Sequence, residues 1–430
     1  DGDISYNHGY NDVWLVKTDS VGNMLWERTY GGSNGDIGYC MLKVHNNAYY
    51  ILAVSQSFDG DVSYDPYPNS SDYWIIKIDS SGNIIWDRIY GGSWYDNPLN
   101  GIVTDDGGIV AFGFTGSDDG DVSEFFGFYD WWMLKLDSLG NKQWDRSFGA
   151  TKSDYGKNII QTSDGGYLIG GDVYKIDGGN IECNNFHFKD AVLIKLDSAG
   201  NIEWQQCYGG SESDVGGGLL EISDGYMFLA STMSDDGDVT GFHGLAGLSA
   251  DIWLIKVDFS GNLVWQKCYG GTEWEYAEKI FPTGDGGYHI IGQTSSHDGD
   301  VSGNHSIGND HDIWIMRTDS IGNLLEQQCI GGLGDERINL GVIKKSDHRF
   351  VIAGNTDTDY PSYDVQCTHS QYNPGRYWVF EISDSTVGLP EIAQSVDEIL
   401  VYPNPAREAV IIEWPQQLTV HEIHIYDTYG

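Results

Sequence analysis

Pairs of aspartates flanking a glycine recur along the chain: Asp59-Gly60-Asp61, Asp119-Gly120-Asp121, Asp236-Gly237-Asp238 and Asp298-Gly299-Asp300, each continuing into Val-Ser or Val-Thr. A truncated copy, Asp1-Gly2-Asp3-Ile4-Ser5, stands at the beginning. Carboxylates spaced in this way can converge on one hard cation, because glycine permits the sharp turn and Ca²⁺ takes roughly six to eight oxygens. A further aspartate just before the next strand (Asp72, Asp130, Asp251 or Asp312) can supply another oxygen. The EF-hand loop, with its longer Asp run and closing Glu, is not matched. In the competing reading these side chains cap turns by accepting nearby backbone N–H groups. The variant copies Asp177-Gly178-Gly179-Asn180 and Asp357-Thr358-Asp359 favour a structural role under either reading.

Other chemistries find less support. His297, His305 and His311 share one loop with Asp310 and Asp312, yet no pair has the spacing that fixes a transition metal with a third ligand. Sialidase Asp boxes run Ser-x-Asp-x-Gly-x-x-Trp, whereas the turn here is one residue longer. Too few arginines are present to assemble a carboxylate-gripping triad. No phosphate loop or His-Glu-x-x-His occurs. Paired carboxylates carry no diagnostic weight in so acidic a chain.

That acidity bounds the partners. Over 430 residues, 23 Lys+Arg stand against 64 Asp+Glu, a net charge of -41, which disfavours nucleic acid and anionic membrane surfaces. No apolar run approaches the ~18 residues needed to span a bilayer. Residue 1 falls inside a repeat, so a leader is expected to have been removed or left out. Cys207, Cys268 and Cys329 hold one position in three successive repeats, too far apart to bridge one another, and read as buried free thiols. Cys183 and Cys367 lie in long loops of non-adjacent repeats, where a mutual bridge is not expected.

The elements that must position these residues repeat about every sixty residues. Each copy ends in the turn Asp-x-x-Gly-Asn followed by Trp: Asp19 to Trp26, Asp79 to Trp86, Asp137 to Trp144, Asp197 to Trp204 and Asp258 to Trp265. A sixth turn, Asp319/Gly322/Asn323, is followed by Glu326 instead. Within one repeat, residues 100–104, 109–115, 131–136 and 142–148 read as four short antiparallel strands, the first two joined at Asp106-Gly107-Gly108. Alternation looks clean in the third strand, as in Asp251 to Val257. A small sheet cannot bury both faces alone, and radial stacking into an all-β propeller is the expected solution. Counting third strands predicts seven blades, with the strands missing from the first blade lying upstream of residue 1 and a fourth strand lacking in the last. Six blades is the alternative. Each Trp then wedges against the next sheet and buries ~200 Å². The turn resembles the tryptophan-docking motif of quinoprotein-type propellers, with a spacing different by about one residue; the resemblance implies blade fastening through Trp26, Trp86, Trp144, Trp204 and Trp265.

After the repeats (residues 1–383), a polar linker covers 384–396 and a new segment, 397–430, opens with Tyr402-Pro403-Asn404-Pro405. This resembles the start of the C-terminal sorting domain of type IX secretion cargo from Bacteroidota, about half of whose length is present. The Gly-Gly-Ser, Asp-Gly-Gly-Tyr and Asp-Gly-Asp-Val-Ser phrases resemble large surface proteins of the same bacteria. The resemblance implies a secreted or cell-surface protein whose partner in export is the type IX machinery. Function is expected in the loops that differ most between repeats, which carry Tyr67, Phe125, Phe126, Phe128, Phe186, Phe188, Phe242 and Tyr372. Aromatic side chains on loops of a rigid scaffold suit glycan or protein binding, so a non-enzymatic binding protein is the reading. A polysaccharide-acting enzyme with carboxylates in the central channel and a structural spacer are its rivals.

Overall fold

The computed structural model describes residues 6–19, 24–44, 47–68, 70–174, 178–182, 188–346, 349–357, 362–365, 376–383, 399–403 and 410–413. All the regular structure described is β-strand, arranged in six four-stranded sheets and one three-stranded sheet. Blade 1 consists of Asp36–Val44, Ala48–Ser55, Asp72–Asp79 and Ile84–Tyr90. Blade 2 is Asp96–Val103, Ile109–Thr115, Asp130–Leu136 and Lys142–Phe148. Blades 3 to 5 repeat the pattern from Tyr155 to Tyr208, Asp214 to Tyr269 and Glu275 to Ile330. Blade 6 has three strands, Glu336–Ser346, Arg349–Thr356 and Arg376–Ser383. The first strands of blades 1 to 6 pack one against the next in chain order, so they line the axis of a propeller.

The remaining blade joins the two ends of the chain. Val13–Thr18 and Met24–Tyr30 form its outer half, and Ile399–Pro403 and Val410–Glu413 its inner half, all antiparallel. The inner strands of this sheet are supplied by the segment expected to open a separate C-terminal unit. The linker 384–396 lies outside the described residues.

Third strands are buried along most of their length, Asp251–Val257 at every position but Lys256, and do not show the half-exposed alternation read from their sequence. The cause is the stacking, which covers both faces of each sheet with a neighbouring blade. Trp74, Trp132, Trp253 and Trp314 sit fully buried there. Each donates its indole N–H to the fourth strand of its own blade, Trp74 to Asp87 (3.1 Å), Trp132 to Asp145 (3.2 Å), Trp253 to Gln266 (2.7 Å) and Trp314 to Gln327 (2.7 Å). Lys135 and Lys256 of these strands reach out to hairpin aspartates, Asp106 at 2.9 Å and Asp224 at 2.7 Å, while Lys77 reaches the Tyr50 hydroxyl and the Ser138 carbonyl.

The Asp-x-x-Gly-Asn turn is self-capped. Asp79 Oδ1 accepts the N–H groups of Ser81 and Asn83 at 2.8 and 2.9 Å, and Oδ2 accepts Asn83 Nδ2 at 2.9 Å. Gly82 holds φ at +78°, a left-handed conformation that L side chains resist. Against this glycine lies the Trp of the preceding blade. A Cβ on Gly82 would stand 3.0 Å from Trp26, and the corresponding glycines meet Trp86, Trp144, Trp204 and Trp265 at 2.8 to 3.1 Å. Four residues beyond the Trp, Tyr30, Tyr90, Tyr208 and Tyr269 donate their hydroxyls to the carbonyls of Gly82, Gly140, Gly261 and Gly322. Glu326 replaces Trp where the facing turn of blade 6 lies outside the described residues; it sits 3.6 Å from Arg317.

Cys268 and Cys329 are free and buried, and Cys40 is free. Cys207 is disulfide-bonded, not a free thiol. The repeat argument excluded only bridges between equivalent positions. Cys183 and Cys367 lie outside the described residues.

Candidate functional site: the loop face and its buried carboxylates

Loops between second and third strands meet the links between blades on one face of the ring, joined by parallel bridges such as Ser71–Tyr95, Tyr129–Ser153 and Ala250–Trp274. The Asp-Gly-Asp loops clasp these links. Asp59 accepts Ser33 N–H at 2.7 Å, Asp119 accepts Ser93 at 2.7 Å, Asp236 accepts Ser211 at 2.7 Å and Asp298 accepts Thr272 at 2.8 Å. The second aspartate donates its own N–H to the first glycine of the link: Asp61 to Gly31, Asp121 to Gly91, Asp238 to Gly209 and Asp300 to Gly270, at 2.7 to 2.9 Å. The next residues finish the latch. Val62, Val122, Val239 and Val301 are buried, and Ser63 and Ser123 donate N–H to Asp87 and Asp145 of the fourth strand at 2.9 and 2.8 Å.

Every residue of the Asp-Gly-Asp-Val-Ser phrase thus has a structural task, and the first and second carboxylates serve different backbone atoms. Among the described residues no three His, Cys, Asp or Glu side chains converge as a metal site. The copy at residues 1–5 lies outside the described residues, as does Asp177. The histidines disperse as well: His305 Nδ1 lies 3.0 Å from Asp312, His311 Nδ1 lies 2.8 Å from Asp335, and His297 is exposed.

Beneath the clasps lies a feature that the sequence reading found only in half. The aspartate before each third strand faces a second acid at the start of the next blade: Asp12–Asp36, Asp72–Asp96, Asp130–Asp154, Asp190–Asp214, Asp251–Glu275 and Asp312–Glu336. The two members stand 24 residues apart in all six pairs, and none is more than 4% exposed. The first residue of the blade link, usually glycine, runs between them. A Cβ on Gly91 would lie 2.0 Å from Asp72 Oδ1 and 2.5 Å from Asp96 Oδ2, so only glycine fits.

The two members are solvated differently. Asp36 accepts Gly32 N–H and Ser57 Oγ, both at 2.8 Å, and the Ser55 hydroxyl. Asp214 and Glu275 likewise accept a link N–H and threonine hydroxyls. Their partners keep one buried oxygen without a hydrogen bond: Oδ1 of Asp12, Asp130, Asp190, Asp251 and Asp312. At Asp130, Asp190, Asp251 and Asp312 two facing acceptors in a dry site disfavour double ionisation, and a proton on the orphaned oxygen relieves the conflict. Burial pushes the Asp190 carboxyl up to about 9, with the neighbouring Asp214 and Asp238 charges adding to it. It pushes Asp154 up to about 7 and Asp130 and Asp312 to about 6. Asp72 and Asp96, Asp251 and Glu275 are raised for the same first cause.

Above the clasps, exposed aromatic side chains stand in the link between blades 1 and 2 (Trp94, Tyr95) and in the loop of blade 2 that meets the link to blade 3 (Phe128). Trp94, Tyr95 and Phe128 are 56%, 51% and 63% exposed. Phe128 packs on a ring layer, its centroid 5.3 Å from Tyr129, in which the Phe114 centroid is 5.2 Å from Tyr129 and 5.3 Å from Tyr155. Lys189 Nζ lies 5.6 Å from the Tyr155 ring and 5.3 Å from Tyr174. Of the other loop aromatics, Phe188 is exposed, Phe242 packs on the core, Tyr67, Phe125 and Phe126 are half-buried, and Phe186 and Tyr372 lie outside the described residues.

No family model matches this chain. The regulatory protein FlaEY of Caulobacter vibrioides is 23% identical over 212 residues, 45% of this chain; the chain spans only 22% of that relative's length. Among solved structures, Drosophila Plexin A in complex with Semaphorin 1b aligns over 93% of this chain and 88% of its own, at 10% identity and a TM-score of 0.44. A gluconolactonase from Xanthomonas campestris covers 75% of this chain and 95% of its own at 10% identity and 0.36. A member of the duf4221 family from Bacteroides vulgatus covers 80% and 91% at 10% identity and 0.34.

Proposed function

We propose that this chain is a secreted or cell-surface binding protein that holds a glycan or protein partner on the loop face of its propeller, without turning it over. One observation carries the reading: Trp94, Tyr95 and Phe128 stand exposed on this loop face, with Phe128 braced against Tyr129. Flat side chains on a rigid scaffold lose little entropy on stacking against a sugar face. A glycan array paired with a pull-down from the native envelope tests it. Retention that falls at least about tenfold in Trp94→Ala and Phe128→Ala, with the melting temperature kept, is the expected result; each tenfold step is ~1.4 kcal/mol. Polysaccharide cleavage abolished by a single Asp substitution would replace this reading with an enzymatic one.

Export by a type IX system is the second part of the proposal. It is supported by Tyr402-Pro403-Asn404-Pro405, of which Tyr402 and Pro403 end a described strand while Asn404 and Pro405 lie outside the described residues. Equal export in strains with and without a working translocon would refute it. Bound calcium belongs to the same untried part, and the donors already held by Asp59, Asp119, Asp236 and Asp298 argue for turn capping in its place.

A further inference from the structure

Along the axis, the first strands of the blades enclose a cavity of about 680 Å³, a size that suits a small ligand. Each of these strands loses register at the same point. The break falls between Gly38 and Cys40, Pro98 and Asn100, Gly156 and Asn158, Gly216 and Leu219, and Ala277 and Lys279. The residues skipped by the pairing are Tyr39, Leu99, Lys157, Gly217 with Gly218, and Glu278, and one from each blade lines the cavity. Bulges of this kind re-aim a side chain and gather beside binding sites.

The contrast within one strand is informative. Its first position is acidic in blades 1, 2, 4, 5 and 6 (Asp36, Asp96, Asp214, Glu275, Glu336), with Asp154 just before the strand in blade 3. Three residues later, the bulged position is Tyr, Leu, Lys, Gly and Glu in turn. A position that served only to close the ring would repeat as the acid does. Charge is inverted here as well. The wall carries Lys157, Lys279 and Arg337 against the single acid Glu278, in a chain with almost three acids per base.

We infer that the channel binds a small polyhydroxylated carboxylate, a sugar acid of uronate type, with its carboxylate held between Lys279 and Lys157. Lys279 has no ion-pair partner among the described residues, and Lys157 is only loosely held, 3.6 Å from Asp172. Arg337 is occupied by Asp335 at 2.5 Å. Fixed amides present hydrogen-bonding edges to the hydroxyls: Asn100 donates to Asn158 at 2.7 Å, Asn158 to the Gly217 carbonyl at 2.9 Å, and Gln293 to Glu278 at 3.1 Å. Burial raises Glu278 to about 7, Lys279 and Lys157 opposing it, which weakens its repulsion of an anion near neutrality. Leu99, Val215 and Ile338 supply apolar wall for the sugar ring.

Calorimetric titration of the whole chain with D-glucuronate, D-glucose and acetate tests this site. Glucuronate is expected to bind with a dissociation constant below about 1 mM, and glucose and acetate at least about tenfold more weakly. Lys279→Ala and Lys157→Ala should each weaken glucuronate about tenfold at an unchanged melting temperature, and Lys279→Arg should restore it. Equal binding of glucose and glucuronate, no heat with glucuronate at about 10 mM, or intact binding in both alanine variants would overturn the proposal. Loss of binding in Phe128→Ala with Lys279→Ala unaffected would also overturn it, by moving the ligand to the loop face.

Discussion

The two ends of one third strand carry aspartates that behave in opposite ways. At the end of Asp72–Asp79, Asp79 stands in the exposed turn, and hydrogen bonds from Asn83 hold its carboxyl below the usual range. At the start of that strand, Asp72 faces Asp96 in a dry blade junction, and burial holds it well above that range. Blades 2, 4 and 5 repeat the contrast, with Asp137, Asp258 and Asp319 lowered and Asp130, Asp251 and Asp312 raised. Residue type alone therefore does not say what an acid does here. The turn acids act as charges that accept protein donors, whereas burial favours the neutral form of the junction acids. Net charge, the most conspicuous property of the composition, overstates the charge inside the ring.

The comparison can be pressed at several places. The largest effect should come from deleting residues 384–430, which removes two strands from the sheet of Val13–Thr18. Calorimetry should then show loss of the single cooperative transition, and an unchanged melting curve would mean that the ring closes without them. Next, Gly91→Ala drives a methyl against both Asp72 and Asp96 and should cost about 3–5 kcal/mol in chemical denaturation. Trp86→Ala opens the contact with the Gly140 turn and should cost about 2–4 kcal/mol, while Glu326→Ala, at the junction that lacks the Trp, changes little. Smallest should be Asp79→Ala, whose lost caps are replaced by water. Chelation with EDTA is expected to leave the melting temperature where it was, because the clasp carboxylates already hold backbone donors; a drop would assign calcium to them.

Much of this was readable in the chain. The sixty-residue period fixed the propeller, seven third strands matched seven sheets, and Ile109–Thr115 and Lys142–Phe148 fall where turn chemistry and strand patterning put them. Other features escaped for physical reasons. Asp72, Asp130, Asp251 and Asp312 stood out as oxygens for a cation, but their true partners lie 24 residues on, beyond any local window. That constant spacing was the available signal. The clean alternation of Asp251–Val257 misled because both faces of a stacked blade are buried. The channel wall carries no motif, since its bulges appear only when two strands are paired and their registers compared. Nothing local in the sequence tells that the strand at Ile399 pairs with Val13–Thr18, at the other end of the chain.

The buried-acid junctions make the most direct claim, and its sign is fixed by linkage. Groups raised above their unfolded value stabilise fully below about pH 4 and lose that contribution as pH climbs through their folded values, about 6 to 9 for Asp130, Asp154 and Asp190. Lowered groups such as Asp106 and Asp164, both at about 2, act the other way and lose their contribution only as pH falls below about 4. The measurement is the melting temperature from pH 5 to pH 9 for the natural chain and for Asp190→Asn, which keeps a donor facing Asp214 at every pH. The account predicts a steady fall of several degrees in the natural chain and a shallower one in the variant. A natural chain whose melting temperature holds or rises up to pH 9, with Asp190→Asn following the same curve, would contradict it.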